Sequence, residues 1–165
     1  MKKEKSEEKR QLIAVVRIRG EVGLNPKIKK TLKLLRIHKK NYCVIVPNTT
    51  DFLGMIKMTK DHITFGEVEE HTLFELLSKR GKVAGNKPLN DDYLKKHAKT
   101  DLKLLSSDIF NFKKALKEIP GAKLFFRLKP PVGGFERKGI KKSYAVGGAL
   151  GYRGKEINTL IKKMI

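Results

Sequence analysis

Apolar residues alternate with a two-residue period in three segments of the first 68 residues, and this alternation predicts three β-strands. The segments are LIAVVRIRG, YCVIVP and HITFGEV. Between them, NPKIKKTLKLLRI and NTTDFLGMIKMTKD carry apolar residues at helical spacing. Asn25 is a good helix N-cap, and Pro26 suits the first helical position because its missing N–H has no partner there. The predicted order is therefore β-α-β-α-β.

Helical patterns follow the third predicted strand. Thr72 and Glu75 have the spacing of a capping box, which places a helix start at Thr72, and Gly81 is the predicted stop. A short helix is predicted over NDDYLKKH, with Asn90 as its cap. The region after residue 68 is therefore expected to begin with a helical block.

The last third of the chain alternates between both patterns. A longer helix is predicted over SSDIFNFKKALKEIPG, with one apolar face made of Ile109, Phe112 and Leu116. KLFFRLKPP alternates and predicts a fourth strand. KEINTLIKKMI predicts a final helix whose apolar face comprises Ile157, Leu160, Ile161 and Met164. We predict an α+β protein with a charged tail at 1–11, a core domain at 12–68 and a further region at 69–165.

Charge narrows the choice of partner more than any other property. The chain has 38 Lys and Arg against 17 Asp and Glu, a net charge of +21. Self-repulsion of this size favours a polyanionic partner. Nucleic acid is a better candidate than a membrane surface, because only the final helix approaches the pattern of an interfacial helix, and no apolar run is long enough to span a bilayer. The single Cys43 rules out an internal disulfide and suits a reducing cytosol.

The predicted core carries two sets of cations that could contact phosphates. One set covers the first helix, where no acidic residue lies four positions away to offset it. The other set lies on one face of the first strand, with two lysines in the turn after the helix. Together they are Arg17, Arg19, Lys29, Lys30, Lys33, Arg36, Lys39 and Lys40.

The segment PPVGGFERKGIKKSYAVGGALGYRG, residues 130–154, holds 7 of the chain's 14 glycines. Glycine allows a backbone to approach another molecule closely, while aromatic and cationic side chains suit bases and phosphates. We interpret this segment as an RNA-binding strap that is poorly ordered without its partner, although Phe135 or Tyr144 docking onto the sheet is an open alternative. Its candidate contacts are Arg137, Lys138, Lys141, Lys142, Tyr152 and Arg153.

Catalytic and cofactor sites find little support in the sequence. ALGYRGKE is the nearest approach to a phosphate-binding P-loop, but Ala149 replaces its first glycine and Glu156 its Ser or Thr. GYRG has the G-x-x-G spacing of KH domains without the preceding helix. The four histidines are scattered and the lone cysteine has no partner for a metal site. We therefore predict no enzyme, no cofactor and no metal.

The combination of segments resembles a known family. KIKKTLKLLRI, the VPNT turn, LGMI and TFGEV are similar to the core of the large-subunit ribosomal protein L-thirty family. LKPPVGG and GGALGYRGKEINTLIKKMI resemble its archaeal and eukaryotic branch, whose eukaryotic member is called L-seven. The bacterial branch is shorter and stops near the third strand. Eukaryotic members carry a long basic N-terminal arm, whereas this chain has the mixed tail MKKEKSEEKRQ, so the resemblance is to an archaeal-type protein.

The resemblance implies a ferredoxin-like β-α-β-α-β core with an antiparallel sheet and a structural role without catalysis. The expected partners are large-subunit ribosomal RNA and neighbouring ribosomal proteins, with the chain a monomer within a cytoplasmic ribosome and no membrane or small-molecule substrate involved. A ribosome-assembly factor that binds pre-ribosomal RNA transiently is the alternative. Sequence physics alone does not separate these two functions.

Overall fold

The computed structural model describes residues 11–98 and 100–165, so all of the predicted tail except Gln11 lies outside the described residues. Within them, the strands are β1 (Leu12–Arg17), β2 (Tyr42–Pro47), β3 (Ile63–Glu67), β4 (Phe126–Arg127) and β5 (Gly151–Tyr152). The helices are α1 (Pro26–Leu34), α2 (Thr50–Thr59), α3 (Glu70–Arg80), α4 (Asp91–His97), α5 (Leu102–Phe110) and α6 (Ile157–Met164).

The five strands form one sheet in the order β4-β2-β1-β3-β5. β1 pairs antiparallel with both β2 and β3, and Val15 lies between Val44 and Phe65. β4 extends the antiparallel pairing, whereas β5 pairs parallel to β3. The predicted α+β class and β-α-β-α-β order are confirmed, and the sheet is mixed because β5 returns from the C-terminal region in the direction of β3.

Helices cover both faces of the sheet. All six residues of β1 are buried. Leu12, Ala14 and Val16 face a core shared with α3, α5 and α6, while Ile13 and Val15 face a second core beneath α1 and α2. Burying an aliphatic side chain of this kind stabilises a fold by roughly 1.5–3 kcal/mol. Neither face of the central strand is therefore available to a partner.

Helix α1 begins where its sequence predicts. The side chain of Asn25 accepts a hydrogen bond from the backbone N–H of Lys27 at 2.9 Å, and Pro26 occupies the first helical position. The cap satisfies one of the N–H groups that every helix start leaves without an internal partner. The inward face of α1 is apolar, and its outward face carries the lysines.

Helix α3 corrects the predicted capping box. The helix begins at Glu70, so Thr72 lies within its first turn and is fully buried rather than at the cap. The turn before it is held by Asn158 of α6, whose side-chain oxygen accepts from the N–H of Glu69 at 3.0 Å. Asn158 lies 89 positions from Glu69 in the sequence. The hydrogen bond that fixes this helix start therefore comes from a distant residue and not from a local capping box. Gly81 follows the helix as predicted.

Helix α5 is shorter and earlier than predicted. It spans Leu102–Phe110, and Phe112 then adopts a left-handed backbone conformation with φ +58°. This conformation ends the helix, so Leu116 belongs to a separate 3₁₀ turn, Leu116–Glu118.

The predicted fourth strand is present but is only two residues long, Phe126–Arg127, and it pairs with Tyr42 and Cys43 of β2. Asp91–His97 forms a helix, as predicted, but the side chain of the preceding Asn90 makes no capping hydrogen bond.

The final helix packs on the sheet through its apolar face, as predicted. Ile157, Leu160, Ile161 and Met164 are all buried. The chain enters α6 across β3 at Gly66, where a β-carbon would clash with the carbonyl oxygen of Gly154. Glycine at position 66 thus permits the close approach that brings the C-terminal region onto the sheet.

Candidate nucleic-acid interface

Arg17 lies inside the protein, which corrects the prediction of an exposed cationic strand face. Its side chain is buried beneath the chain that leaves β1 and the loop after α1. The guanidinium donates hydrogen bonds to four backbone carbonyl oxygens at 2.7–3.0 Å, those of Arg19, Gly20, Ile37 and His38. Because all its nitrogens are engaged with the protein, Arg17 organises the surface from beneath and is not a contact residue.

Arg19 emerges at the end of β1 and is partly exposed. One of its guanidinium nitrogens donates to the backbone carbonyl of Asp61 at 3.2 Å, which ties it to the turn between α2 and β3. His62 lies beside it, and burial together with the charges of Arg19 and Arg17 lowers the pKa of its imidazole, while Asp61 opposes the shift. The pKa of His62 is therefore lowered mainly by burial, and the positive charges at this end of the sheet add to the shift.

The outward face of α1 is exposed, as predicted. Lys29, Lys30 and Lys33 all extend into solvent. Lys29 forms an ion pair with Glu21 at 2.6 Å, an acidic partner from the preceding loop that spacing within the helix did not reveal. Both side chains are about half exposed, and such surface pairs contribute little stability. Lys30 and Lys33 carry no ion pair within the described residues.

The loop between α1 and β2 adds three exposed cations, Arg36, Lys39 and Lys40. Arg36 has φ +61°, a conformation usually taken by glycine after a helix. Its N–H donates to Lys33 O at 2.9 Å, and the N–H of Ile37 donates to Leu32 O at 2.9 Å, a Schellman arrangement. An arginine therefore occupies a strained position where glycine would fit better.

Residues 130–154, which we call the strap, are folded onto the sheet, and this corrects the expectation of poor order without a partner. Phe135, Ile140, Ala149 and Leu150 cluster around Ile18 at the end of β1. The strap has its own hydrogen bonds, and a β-carbon at residue 148 would clash with the backbone of residue 142. Its exposed cations are Arg137, Lys138, Lys141 and Lys142.

Arg153 is buried in the strap and is not an exposed contact, contrary to prediction. It forms a bidentate ion pair with Glu136 and donates to Ala149 O at 3.1 Å. Its guanidinium carbon lies 4.4 Å from the centre of the Tyr144 ring. Burial alone would raise the pKa of Glu136, but the hydrogen bonds and charge of Arg153 hold that pKa below its usual value. Arg153 thus fixes the strap in place.

Tyr152 is exposed, but its position is set by the protein. The hydroxyl donates to the carboxylate of Glu67 at 2.6 Å, and this bond raises the pKa of Tyr152 above its usual value. The ring centre lies 5.6 Å from that of Phe65. One side of the ring remains accessible, with 58% of the residue exposed, so stacking on a base is sterically open. Phe135 and Tyr144 instead dock onto the protein.

The structure brings together two cationic regions that are about 100 residues apart in sequence. The end of β1, the starts of β2 and β3, and the strap meet at one end of the sheet, because the strap packs on Ile18. We use the name cationic end for the exposed or partly exposed cations that these segments and the adjoining loops carry: Arg19, Arg36, Lys39, Lys40, Lys60, Arg137, Lys138, Lys141 and Lys142. Lys60 was missed by sequence reasoning, since a lone lysine after a helix carries no distinguishing signal.

Other kinds of site find no support among the described residues. No helix within residues 11–98 and 100–165 has the length and apolar character needed to cross a bilayer. In the same part of the chain, no group of three or more His, Cys, Asp or Glu side chains could hold a metal ion. Burial raises the pKa of the Cys43 thiol to about 12, so this cysteine is unreactive. Convergent cations are therefore the chemical feature that characterises this surface.

The chain is similar over most of its length to known proteins. The family model of ribosomal protein L30p/L7e matches residues 13–63, which include α1, β2, α2 and all of β1 except Leu12. Large ribosomal subunit protein uL30 of Nanoarchaeum equitans is 48% identical over 154 residues, covering 93% of this chain and 99% of the relative. Proteins of the same name from Methanococcus vannielii and Methanopyrus kandleri are 45% and 44% identical, over 92% and 90% of this chain and 98% and 100% of the relatives.

The similarity extends well past the region that the family model covers. Identity above 40% extends over nine-tenths of the chain, whereas the family model matches only residues 13–63. The resemblance inferred from the sequence motifs is confirmed. The chain therefore belongs to the ribosomal protein L30p/L7e family, a family of structural and non-enzymatic proteins.

Proposed function

We propose that the chain binds ribosomal RNA through its cationic end, as a structural constituent of the large subunit of cytoplasmic ribosomes. Membership of the family implies a structural ribosome constituent, and the relatives are named as large-subunit proteins. The observation that carries the RNA-binding proposal is the convergence of core and strap cations on one surface.

Charge without local neutralisation supports this assignment. Residues 124–165 hold 10 basic and 2 acidic side chains, and one of those acids, Glu136, is occupied by the buried Arg153. Within the described residues, none of the exposed strap cations forms an ion pair. Unpaired cations of this kind bind phosphates with release of counterions, which makes affinity depend steeply on salt.

The proposed contact set is smaller than the sequence predicts. Arg17 and Arg153 are assigned to folding because their guanidinium groups are buried and hydrogen-bonded within the protein. Tyr152 is retained as a stacking residue, and Lys29 as a contact weakened by Glu21. The remaining contacts are Lys30, Lys33 and the cationic end. Such a surface recognises the shape of the RNA and its splayed, unpaired bases, because the deep groove of A-form RNA excludes side chains.

Filter binding of a large-subunit RNA fragment across a salt series tests the proposal. Replacing Arg137, Lys138, Lys141 and Lys142 with Ala is expected to weaken binding about 100-fold at moderate salt and to lower the salt slope by roughly three. The matched control removes four exposed lysines from residues 69–123, which contain α3, α4 and α5 and which we call the helical region: Lys79, Lys87, Lys96 and Lys117. The RNA affinity of the control variant should fall by less than about fivefold, because these substitutions reduce only the nonspecific electrostatic attraction to RNA. Equal losses in both variants would contradict the proposal.

Sedimentation separates the structural role from the assembly-factor alternative. A structural constituent is present in mature large subunits in stoichiometric amount, whereas an assembly factor is present only in their precursors. Tagged protein expressed in an archaeal host is expected in the mature fraction, and its restriction to precursor particles would contradict the structural role.

A further inference from the structure

A cleft of about 350 Å³ lies within the cationic end, between the turn that joins α2 to β3 and the strap. One wall is formed by Arg19, Lys60 and Asp61 of the core, and the other by Lys141 and Ser143 of the strap. Leu150 and Gly151, further along the strap, complete the lining, and we call these two residues its floor. The walls come from segments about 80 residues apart in sequence, so the cleft exists only when the strap is folded onto the sheet.

Hydrogen bonds hold both walls and the floor in place. Arg19 is tied to the turn through Asp61 O. On the opposite side, the hydroxyl of Thr64 in β3 donates to Gly151 O at 3.0 Å, and the N–H of Tyr144 donates to Leu150 O at 2.7 Å. The spacing between the two walls is therefore set by β3 and β5. A ligand in the cleft therefore meets Arg19 and a backbone that are already held in place, which lowers the entropy lost on binding.

The chemistry of the cleft favours an anion. Three cationic side chains, Arg19, Lys60 and Lys141, outnumber the single carboxylate of Asp61 and leave the cleft with two excess positive charges. Ser143 offers a hydroxyl donor. Gly151 leaves the floor without a side chain, so a ligand can approach the backbone closely. The volume falls at the lower end of small-molecule sites, about 300–1,000 Å³, which is larger than a lone phosphate requires.

We propose that this cleft holds one backbone phosphate of the bound RNA, together with its adjoining sugar, between Lys60 of the core and Lys141 of the strap. This inference rests on the proposed function, since it names a particular subsite of the RNA interface. A phosphate shared by two walls makes the core and the strap bind RNA as one unit. Lys60, which the sequence gives no reason to single out, becomes a principal contact.

A double-mutant cycle on the full chain tests whether one phosphate is shared. Lys60→Ala and Lys141→Ala are each expected to weaken binding of the large-subunit RNA fragment about tenfold. The loss of RNA affinity in the double variant should be at least threefold smaller than the product of the two single losses. The reason is that the second lysine has already lost most of its contact once the phosphate is displaced. Its salt slope should fall by about one phosphate contact, roughly 0.7–0.9.

The control cycle uses Lys96→Ala and Lys117→Ala, which are exposed lysines of the helical region. Each should change affinity less than about twofold, and their effects should multiply. Circular dichroism melts check that all variants fold, as expected for exposed side chains. If the Lys60 and Lys141 effects multiply, the two lysines bind separate phosphates and the shared subsite is wrong.

The outcome distinguishes the cleft from the wider function. Wild-type protein that binds RNA with a flat salt response would overturn the proposed RNA interface as a whole. Wild-type protein that binds with a steep response, while the Lys60 and Lys141 variants match the control cycle, would overturn the cleft alone.

Discussion

The helical region and the cationic end carry similar numbers of positive charges but differ in what those charges meet. Residues 69–123 hold 12 basic and 8 acidic side chains, and two ion pairs lie among them, Lys95 with Asp101 at 3.6 Å and Lys114 with Asp108 at 3.5 Å. The exposed cations of the strap have no such partners among the described residues. The net charge of +21 is thus compensated unevenly along the chain. Cations that lie together without acidic partners indicate an interface better than the number of charges does.

A second contrast separates the arginines buried beneath the cationic end from the arginines exposed on it. Arg17 and Arg153 bind backbone carbonyls and a carboxylate inside the protein, whereas Arg36 and Arg137 extend into solvent. The buried arginines form the scaffold on which the exposed ones are displayed. Substitutions should therefore divide into those that affect stability and those that affect RNA affinity.

The largest effect on stability is expected at Arg17. Arg17→Met keeps much of the side-chain volume but leaves four carbonyl oxygens without their donor. We expect the free energy of unfolding to fall by about 3 kcal/mol, measured by urea denaturation. Lys39→Met, an exposed change at the same end, should alter it by less than about 0.5 kcal/mol. Similar losses in both variants would remove the distinction between scaffold and contact residues.

An intermediate effect is expected at Arg36, where stability and binding should move in opposite directions. Arg36→Gly relieves the left-handed backbone strain and should raise the free energy of unfolding by about 0.5–1 kcal/mol. It also removes a phosphate contact and should weaken RNA binding roughly threefold. Urea denaturation and filter binding on the same preparation measure both. If Arg36→Gly lowers stability, or leaves affinity intact, then arginine is not kept at this position for RNA.

The smallest effect concerns His62 as a reporter of the positive field. Its folded pKa lies below the unfolded value of about 6.5, so the unfolded state takes up a proton first as pH falls. The stability contribution of the neutral imidazole is therefore present above pH 6.5 and is lost as pH falls toward the folded pKa. An NMR titration should show the depressed pKa, and Arg19→Ala should raise it while Lys96→Ala leaves it unchanged. If the pKa of His62 in Arg19→Ala is the same as in the wild-type protein, the proposed positive field at His62 is contradicted.

Local patterns in the sequence predicted elements well where the signal is local. The alternation in β1, the Asn25 cap of α1 and the apolar face of α6 are all confirmed. The errors arose where a distant residue decides the structure. Asn158 determines the turn before α3, and the loop after α1, whose Ile37 and His38 carbonyls accept from Arg17, helps to bury that side chain.

Part of the candidate interface could be predicted in the same way. Of the fourteen residues selected from the sequence, eleven are exposed, because runs of lysine without acidic neighbours seldom fold inward. The cleft was not predictable, since Lys60 and Lys141 meet only through the parallel pairing of β5 with β3. The division of the chain at residue 68 stays a prediction.

Directed hydroxyl-radical probing compares the two regions within one particle. The native Cys43 is fully buried and its thiol has a pKa of about 12, so it should escape labelling. An iron chelate can therefore be tethered to Lys39→Cys at the cationic end or to Lys96→Cys in the helical region, each in reconstituted large subunits. Both positions are exposed and carry the same charge.

The account predicts strong, localised cleavage of ribosomal RNA from position 39 and weak or absent cleavage from position 96. Radicals act over short distances, so strong cleavage identifies the surface that lies against RNA. Stronger cleavage from position 96 than from position 39 would contradict the central claim that the cationic end is the RNA-binding surface.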